Sequence, residues 1–252
     1  MDIKGTEETK SFYDSEGWQV SDEGTTLDED LFGLKENGPI RIQIAARLWH
    51  RISDGLEDTG ATDFLEVGCG GSPETRFLDI FENYVGCDFS SVGLEVAKGK
   101  FEPFGSRVKF VEADAVSLPF ADGSFDTVYS AHMLYHIVNR ASQAAAIQEM
   151  LRVLRPGGRL VLVTANPRPL LFPMRLMIRL IADAPMLAGI ARKLKGPSPV
   201  PYNPSKIRWY RRQIEKLADV GIFTGGIAST NFNQSVTEHK GIGKLAWSFI
   251  CL

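Results

Sequence analysis

Between Asp63 and Thr164, short apolar runs alternate with helical segments, and that alternation narrows the fold more than any other property of the chain. "DFLEV" (63–67), "YVGCD" (84–88), "RVKFVEAD" (107–114), "SFDTVYS" (124–130) and "RLVLVT" (159–164) each read as a strand. Between the first two, "SPETRFLDIF" (72–81) carries Ser and Pro where a helix N-terminus favours them. Residues 90–100 form a helix opened by serine, and 141–154 form a strong helix ended by "RPGG" (155–158). Strands spaced by helices pair in parallel, with helices on both faces. Right-handed crossovers then leave a doubly wound, Rossmann-like α/β sheet as the simple solution. We expect seven mostly parallel strands, the last two from runs around 226–233 and 243–251. Ligands of such sheets sit at the carboxyl ends of the strands, near the switch point.

The flanks read differently. Residues 1–38 show little periodicity and are expected to form an irregular arm, with at most a helical turn near Ser11–Tyr13. Residues 39–252 make the main domain, beginning with an amphipathic helix whose apolar side is Ile40, Ile44, Leu48 and Ile52. Residues 166–204 are apolar, basic and broken by prolines, which suggests a helical cap inserted after the fifth strand. A helix over 205–220, stopped by Gly221, follows.

With 252 residues and 44% apolar content, the chain buries enough surface to need no disulfide or metal staple. Cys69, Cys87 and Cys251 lack any ligand or disulfide spacing, which fits a reducing compartment. No signal-like block opens the sequence and no run of about eighteen apolar residues occurs, so a cytoplasmic protein without a transmembrane segment is expected. Charge is uneven. Residues 1–36 hold eleven Asp/Glu and three Lys, while 166–212 hold ten Lys/Arg and one acid, Asp183. The two stretches are either solvated faces or an acidic arm near a basic cap that is partly left for an anionic ligand.

"FLEVGCGGS" (64–72) ends its strand in small residues. Gly68, Cys69, Gly70 and Gly71 let a ligand approach the main chain at the start of the next helix. Asp88 ends the second strand twenty residues after Gly68, the placement that hydrogen-bonds a ribose diol in nucleotide-binding α/β folds. Ser90 and Ser91 are available to cap the following helix, which frees Asp88 from that task. Asp114, past the third strand, either accepts from an adenine amino group, with Ala113 and Ala115 leaving room for the ring, or caps a turn. The third glycine of a dinucleotide fingerprint is missing, Pro73 standing in its place, and no phosphate loop occurs. A nucleoside without pyrophosphate remains, and Glu66 does not repel such a ligand.

"FLEVGCGGS", "YVGCDFS", "EADAVSLPFADGSFDTVYSAHMLYHI" and "MLRVLRPGGRLVLVT" together resemble the successive motifs of class I S-adenosylmethionine-dependent methyltransferases. The likeness is to the small-molecule branch that includes the ubiquinone/menaquinone methyltransferases, and it is close over residues 60–165. It implies S-adenosylmethionine as cofactor and S-adenosylhomocysteine as product. It places Glu66, Gly68 and Gly70 around the methionine part, Asp88 on the ribose and Phe89 against adenine. Asp114 and Ala115 then meet the adenine edge, and Ser130 lines the methionine side. One departure concerns the loop path: the family often has glycine where Ser72 stands, and here it sits at Gly71.

The implied reaction moves a methyl group to an oxygen or nitrogen of a small molecule. An alternative is transfer to carbon on a quinone or lipid-like acceptor. A third reading, from another class, is a non-catalytic cofactor-binding or scaffold protein. His132 and His136 lie i, i+4 at the fourth strand's end. As a metal pair they lack a third ligand, so no metal is expected. They read as a base, His136 being the position where the family often keeps a histidine, or as packing beneath the cofactor. Tyr135 is either a substrate contact or a core aromatic. Tyr13 and Trp18 are either a lid over the cofactor or simple packing. Arg168, Phe172 and Arg175 in the insertion suggest contacts to an anionic or apolar acceptor, against a surface helix pair or a homodimer contact. Aromatic interleaving is thin and net charge is −3, so nucleic acid is not expected as a partner.

Overall fold

The computed structural model describes residues 3–20, 50, 62–73, 75–164 and 203–215. The expected amphipathic helix, apart from His50, lies outside these residues. So do the insertion apart from residues 203 and 204, the two closing strands, and Arg168, Phe172 and Arg175.

Five strands form one sheet: β1 (Asp63–Val67), β2 (Asn83–Asp88), β3 (Val108–Glu112), β4 (Phe125–Ala131) and β5 (Leu154–Val163). Every pairing is parallel and the order is β3-β2-β1-β4-β5. The order reverses between β1 and β4, so the crevice outside the end of β1 is the switch point. Helix α1 is Ile3–Phe12, α2 is Ser91–Phe101, α3 is Arg140–Val153 and α4 is Ile207–Ile214.

Alternation along the strands builds a different core on each face. Leu65, Val67, Cys87 and Val128 pack with Ala146, Ile147, Met150 and Val153 of α3 and with Tyr210 of α4. On the other face Phe64, Tyr84 and Tyr129 join Phe77, Phe81 and Phe101. Phe64 lies at the centre of that aromatic layer, its ring 4.3 Å from Phe77, 4.6 Å from Phe81 and 5.5 Å from Tyr84. The buried Gln143 stitches the segment before α4 to α3: its Nε2 donates to the carbonyls of Ile137 and Asn203, and its Oε1 accepts from Ser205 Oγ.

Three segments depart from the sequence expectation. The helix expected over 72–81 is a single 3-10 turn, Thr75–Asp79. Phe77, Leu78 and Phe81 are drawn into the aromatic layer. Arg107 ties down the end of this segment, donating to the carbonyls of Leu78, Phe81 and Glu82 at 2.7–3.0 Å. Secondly, "RPGG" interrupts β5 rather than preceding it. Phe125 pairs with Leu154 and Thr127 with Arg159, so 155–158 bulge out of register. Gly157 is in the left-handed region (φ 81°), and a Cβ on Gly158 would stand 2.7 Å from the Asp126 carbonyl oxygen. Thirdly, the arm is ordered near its start: α1 runs into a π-helical turn, Tyr13–Gly17.

The amino ends of the strands are held by charge. Arg155 bridges Asp126 at 2.7 Å and Asp63 at 2.9 Å, and the second oxygen of Asp126 accepts from the N–H groups of Thr62 and Asp63. Burial opposes the Asp126 charge, but the Arg155 hydrogen bond and these N–H groups outweigh it and bring its pKa down to about 2.

Two outcomes are expected. Phe64→Ala should lower the unfolding free energy by about 3–5 kcal/mol, read from urea titration. Asp126→Asn should lower the melting temperature at pH 7. A depressed native pKa gives stability present above the unfolded value and lost as pH falls, so the difference from wild type should close between about pH 4 and pH 2.

Candidate functional site

The carboxyl ends of β1, β2 and β4 bring most of the residues singled out in the sequence into one neighbourhood. After Val67 the chain turns through Gly68 (φ 76°) and Gly70 (φ 54°), conformations that glycine adopts without steric cost. The N–H groups of Gly68 and Cys69 both donate to the Cys87 carbonyl, at 2.8 and 3.2 Å, so the loop folds back onto β2.

Asp88 anchors this arrangement. One carboxylate oxygen accepts from Gly70 N–H and the other from Ser90 N–H, both at 2.9 Å. Ser90, not Asp88, is the N-cap of α2, accepting from Gly93 N–H at 3.1 Å. Asp88 is buried, and burial raises its pKa to about 6; the Ser90 and Gly70 N–H groups and Lys10 pull the other way. The Cys69 and Cys87 thiols are pushed up, first by burial and then by the Asp88 charge, and stay protonated.

Glu66, one residue before the end of β1, is also buried, and its Oε2 accepts from the Tyr84 hydroxyl at 2.6 Å. Two carboxylates are therefore buried at the carboxyl ends of the adjacent strands β1 and β2. Ser130, near the end of β4, is buried, with no hydrogen-bond partner for its Oγ among the described residues. Asp114 lies two residues past β3 and is exposed. There it closes a turn, one carboxylate oxygen accepting from Val116 N–H at 3.1 Å and its carbonyl from Ser117 N–H. Ala115, beside it, is half-buried.

The N-terminal segment covers the loop. The Tyr13 and Trp18 rings stack at 5.4 Å, and Tyr13 meets Phe89 edge-on at 6.4 Å and His136 at 6.0 Å. Trp18 presses on the glycines: a Cβ on Gly70, Gly71 or Gly93 would come within 2.3, 2.8 and 2.7 Å of its indole. The loop is small for this packing as well as for any ligand. Met133 does the same to Gly68, at 2.4 Å. Trp18 Nε1 is buried without a partner among the described residues. Asp14 accepts from Ser90 Oγ at 2.6 Å, while Lys10 donates to the Phe89 carbonyl and lies 3.4 Å from Glu112.

The two histidines separate. His136 is buried between the rings of Tyr13 and Tyr135, the latter 4.5 Å away. Tyr135 is buried as well, and its carbonyl accepts from Asn203 N–H at 2.7 Å. His132 has a left-handed backbone (φ 60°) as the chain leaves β4, an uncommon conformation for a residue with a Cβ and one found at functional sites. The residue as a whole is exposed, yet the protein around the imidazole lowers its pKa by desolvation and favours the neutral form. Among the described residues no three His, Cys, Asp or Glu side chains group as metal ligands do. No described helix is long and apolar enough to cross a membrane.

Tyr84, Lys10, Asp14 and Met133 take part without having been singled out by the sequence. Strand alternation puts Tyr84 on the Phe64–Glu66 side of the sheet, and that was the one available signal.

Comparison with known proteins fits this geometry. A family model described as a methyltransferase domain matches residues 65–162. A demethylmenaquinone methyltransferase of Paenarthrobacter aurescens is 30% identical over 207 residues, covering 77% of this chain and 78% of that protein. The O-methyltransferase cnsE of Penicillium expansum is 33% identical over 162 residues, covering 61% of this chain and 52% of its own length. The crystal structure of the YcgJ protein of Bacillus subtilis shares the fold, with a TM-score of 0.50 at 20% identity over 77% of this chain and 82% of that one. The chain spans about a third to a half of the length of the first curated relatives it matches.

Gly70→Ala tests the packing of the loop. We expect it to cost about 2–4 kcal/mol, from overpacking against Trp18 plus left-handed strain. In a Trp18→Ala background the cost should fall to about 1–2 kcal/mol, the strain alone. Urea titration of the four proteins of the cycle measures both.

Proposed function

We propose, from the premise that this chain belongs to the class I S-adenosylmethionine-dependent methyltransferases in their ubiquinone/menaquinone branch, that it transfers the methyl group of S-adenosylmethionine to a small-molecule acceptor. The observation that carries this reading is the buried Asp88 carboxylate at the switch point, set against the glycine loop. The donor set fits the cofactor. Asp88 suits a ribose diol, and Glu66 a positively charged group on the methionine side. Two buried carboxylates would instead repel a pyrophosphate. Ser130 Oγ offers a buried polar contact on the same side, and Phe89 an aromatic face. Asp114 and Ala115 border the adenine end in this reading.

When bound, the cofactor supplies a methyl group already activated on a sulfonium, so the chain's own task is to bind, orient and exclude water. Tyr13 and Trp18 act as the lid, since they already lie over the loop. Of the two histidines, His132 is better placed to take a proton from the acceptor, being neutral and open to solvent, while His136 packs between Tyr13 and Tyr135. The basic, apolar stretch over 166–204, with Arg168, Phe172 and Arg175, is assigned to the acceptor, an anionic or apolar small molecule. Oxygen or nitrogen is the methylated atom in our reading, and an O-methyltransferase among the relatives supports it. A quinone-like ring carbon is the second reading, favoured by the likeness to a demethylmenaquinone methyltransferase.

S-Adenosylhomocysteine at about a hundred times its Kd should stabilise the native protein by about 2.7 kcal/mol, seen as a raised melting temperature, and Asp88→Ala should abolish the shift. An unchanged shift in Asp88→Ala would remove the ribose assignment. The affinity should be flat above about pH 6 and decline below it, because protonated Asp88 no longer accepts two hydroxyl donors. Calorimetric titration across pH 5–8 checks the sign. Methyl-labelled cofactor incubated with a cell extract then identifies the acceptor: aqueous label indicates a polar metabolite, organic label a quinone or lipid-like one. Cofactor binding with no transfer to any acceptor would favour a binding protein.

A further inference from the structure

Glu66 is a carboxylate inside the protein, at the end of the central strand, and something must fix its orientation. Among the described residues, Tyr84 on the neighbouring strand is a group that does so. Parallel register sets Tyr84 opposite Phe64 and Gly86 opposite Glu66, so the phenol reaches one step along the sheet to the acid. The ring has little freedom. It stacks on Phe64 at 5.5 Å, lies 5.2 Å from Phe101 and meets Phe110 edge-on at 6.2 Å. The side chain is fully buried, and its hydroxyl donates to Glu66 Oε2 at 2.6 Å.

We infer that Tyr84 is a positioning residue for cofactor recognition: its hydroxyl holds the Glu66 carboxylate in the orientation that receives the cofactor's α-ammonium group. This rests on the cofactor reading given above. The phenol suits the task, since burial and then the Glu66 charge push its pKa upward and keep it a donor. A short bond to an ionised acceptor in a low-dielectric setting is also a strong one. Tyr84 touches no ligand in this scheme and acts only through Glu66.

Two ligands that differ only at the amino-acid end test the assignment. S-Adenosylhomocysteine carries the α-ammonium, whereas 5′-methylthioadenosine keeps the adenosine and the thioether without it. Tyr84→Phe removes one oxygen and leaves the ring packing. Calorimetry should show its affinity for S-adenosylhomocysteine lowered about tenfold, the size of one charge-assisted hydrogen bond, while that for methylthioadenosine moves by less than about twofold. Equal losses for both ligands, or no loss for either, overturn the assignment. Should the single variant not fold, Glu66→Leu with and without Tyr84→Phe gives the answer, because the buried charge and the acceptor for the Tyr84 hydroxyl are then both absent. The two should bind S-adenosylhomocysteine equally, and a further loss in the double variant would mean that Tyr84 acts independently of Glu66. Wild-type protein that binds neither ligand would instead overturn the cofactor reading, and the Tyr84 assignment with it.

Discussion

The pair of N–H groups donated to Asp88 is the interaction on which the rest of this site depends. One comes from the loop after β1 and the other from the entry to α2, so a single carboxylate fixes two chain turns against each other. That link adds to the two N–H groups that Gly68 and Cys69 donate to the Cys87 carbonyl, and it sets the far end of the loop against the start of α2. The charge is held there at a cost, since burial favours the neutral acid. A group kept in such a state, in a crevice at the switch point, is where a binding site is to be sought.

The two ends of the sheet divide their labour. At the amino ends Arg155, Asp63 and Asp126 form a partly exposed clamp of opposite charges, and Arg152 similarly ties Glu149 and Asp122 to the carbonyls of Leu118 and Phe120. These pairs are matched and hold loops. At the carboxyl ends the charges of Glu66 and Asp88 have the same sign and are buried, and one backbone residue, His132, sits in an uncommon conformation. Matched surface charge lies at one end and buried carboxylates at the other, where ligands of parallel α/β sheets bind.

The strands and the glycine loop were legible in the sequence because both depend on neighbours in the chain. Alternation and turn residues located β1 to β4 within a residue or two, and Ser90 was readable as a cap because capping is local. What escaped depends on distant partners. The 3-10 turn at 75–79 stands where a helix was expected, its side chains drawn into the aromatic layer and its end held by Arg107, and the order of α1 follows from Lys10 and Asp14 meeting Phe89, Glu112 and Ser90. Nor does any pattern announce that the ring of Trp18 rests on Gly70, Gly71 and Gly93. At Asp114 the spacing suggested two roles, and only one of them, the turn, has its partner within the chain itself. Glu66 was named from its motif, but Tyr84, its partner, emerges only once two strands are placed side by side.

The docking of residues 3–20 also bears on the order in which the molecule is assembled during synthesis. Lys10 and Glu112 are separated by 102 positions, and Asp14 and Ser90 by 76. A ribosome adding about 5–20 residues each second needs roughly 5–20 s to cover the longer of these intervals. Tyr13 and Trp18, just past α1, gain the surface they rest on only once Gly70, Phe89 and Gly93 have been added. This early segment therefore finds its place only after the start of α2 exists, and its ion pair with β3 comes later still.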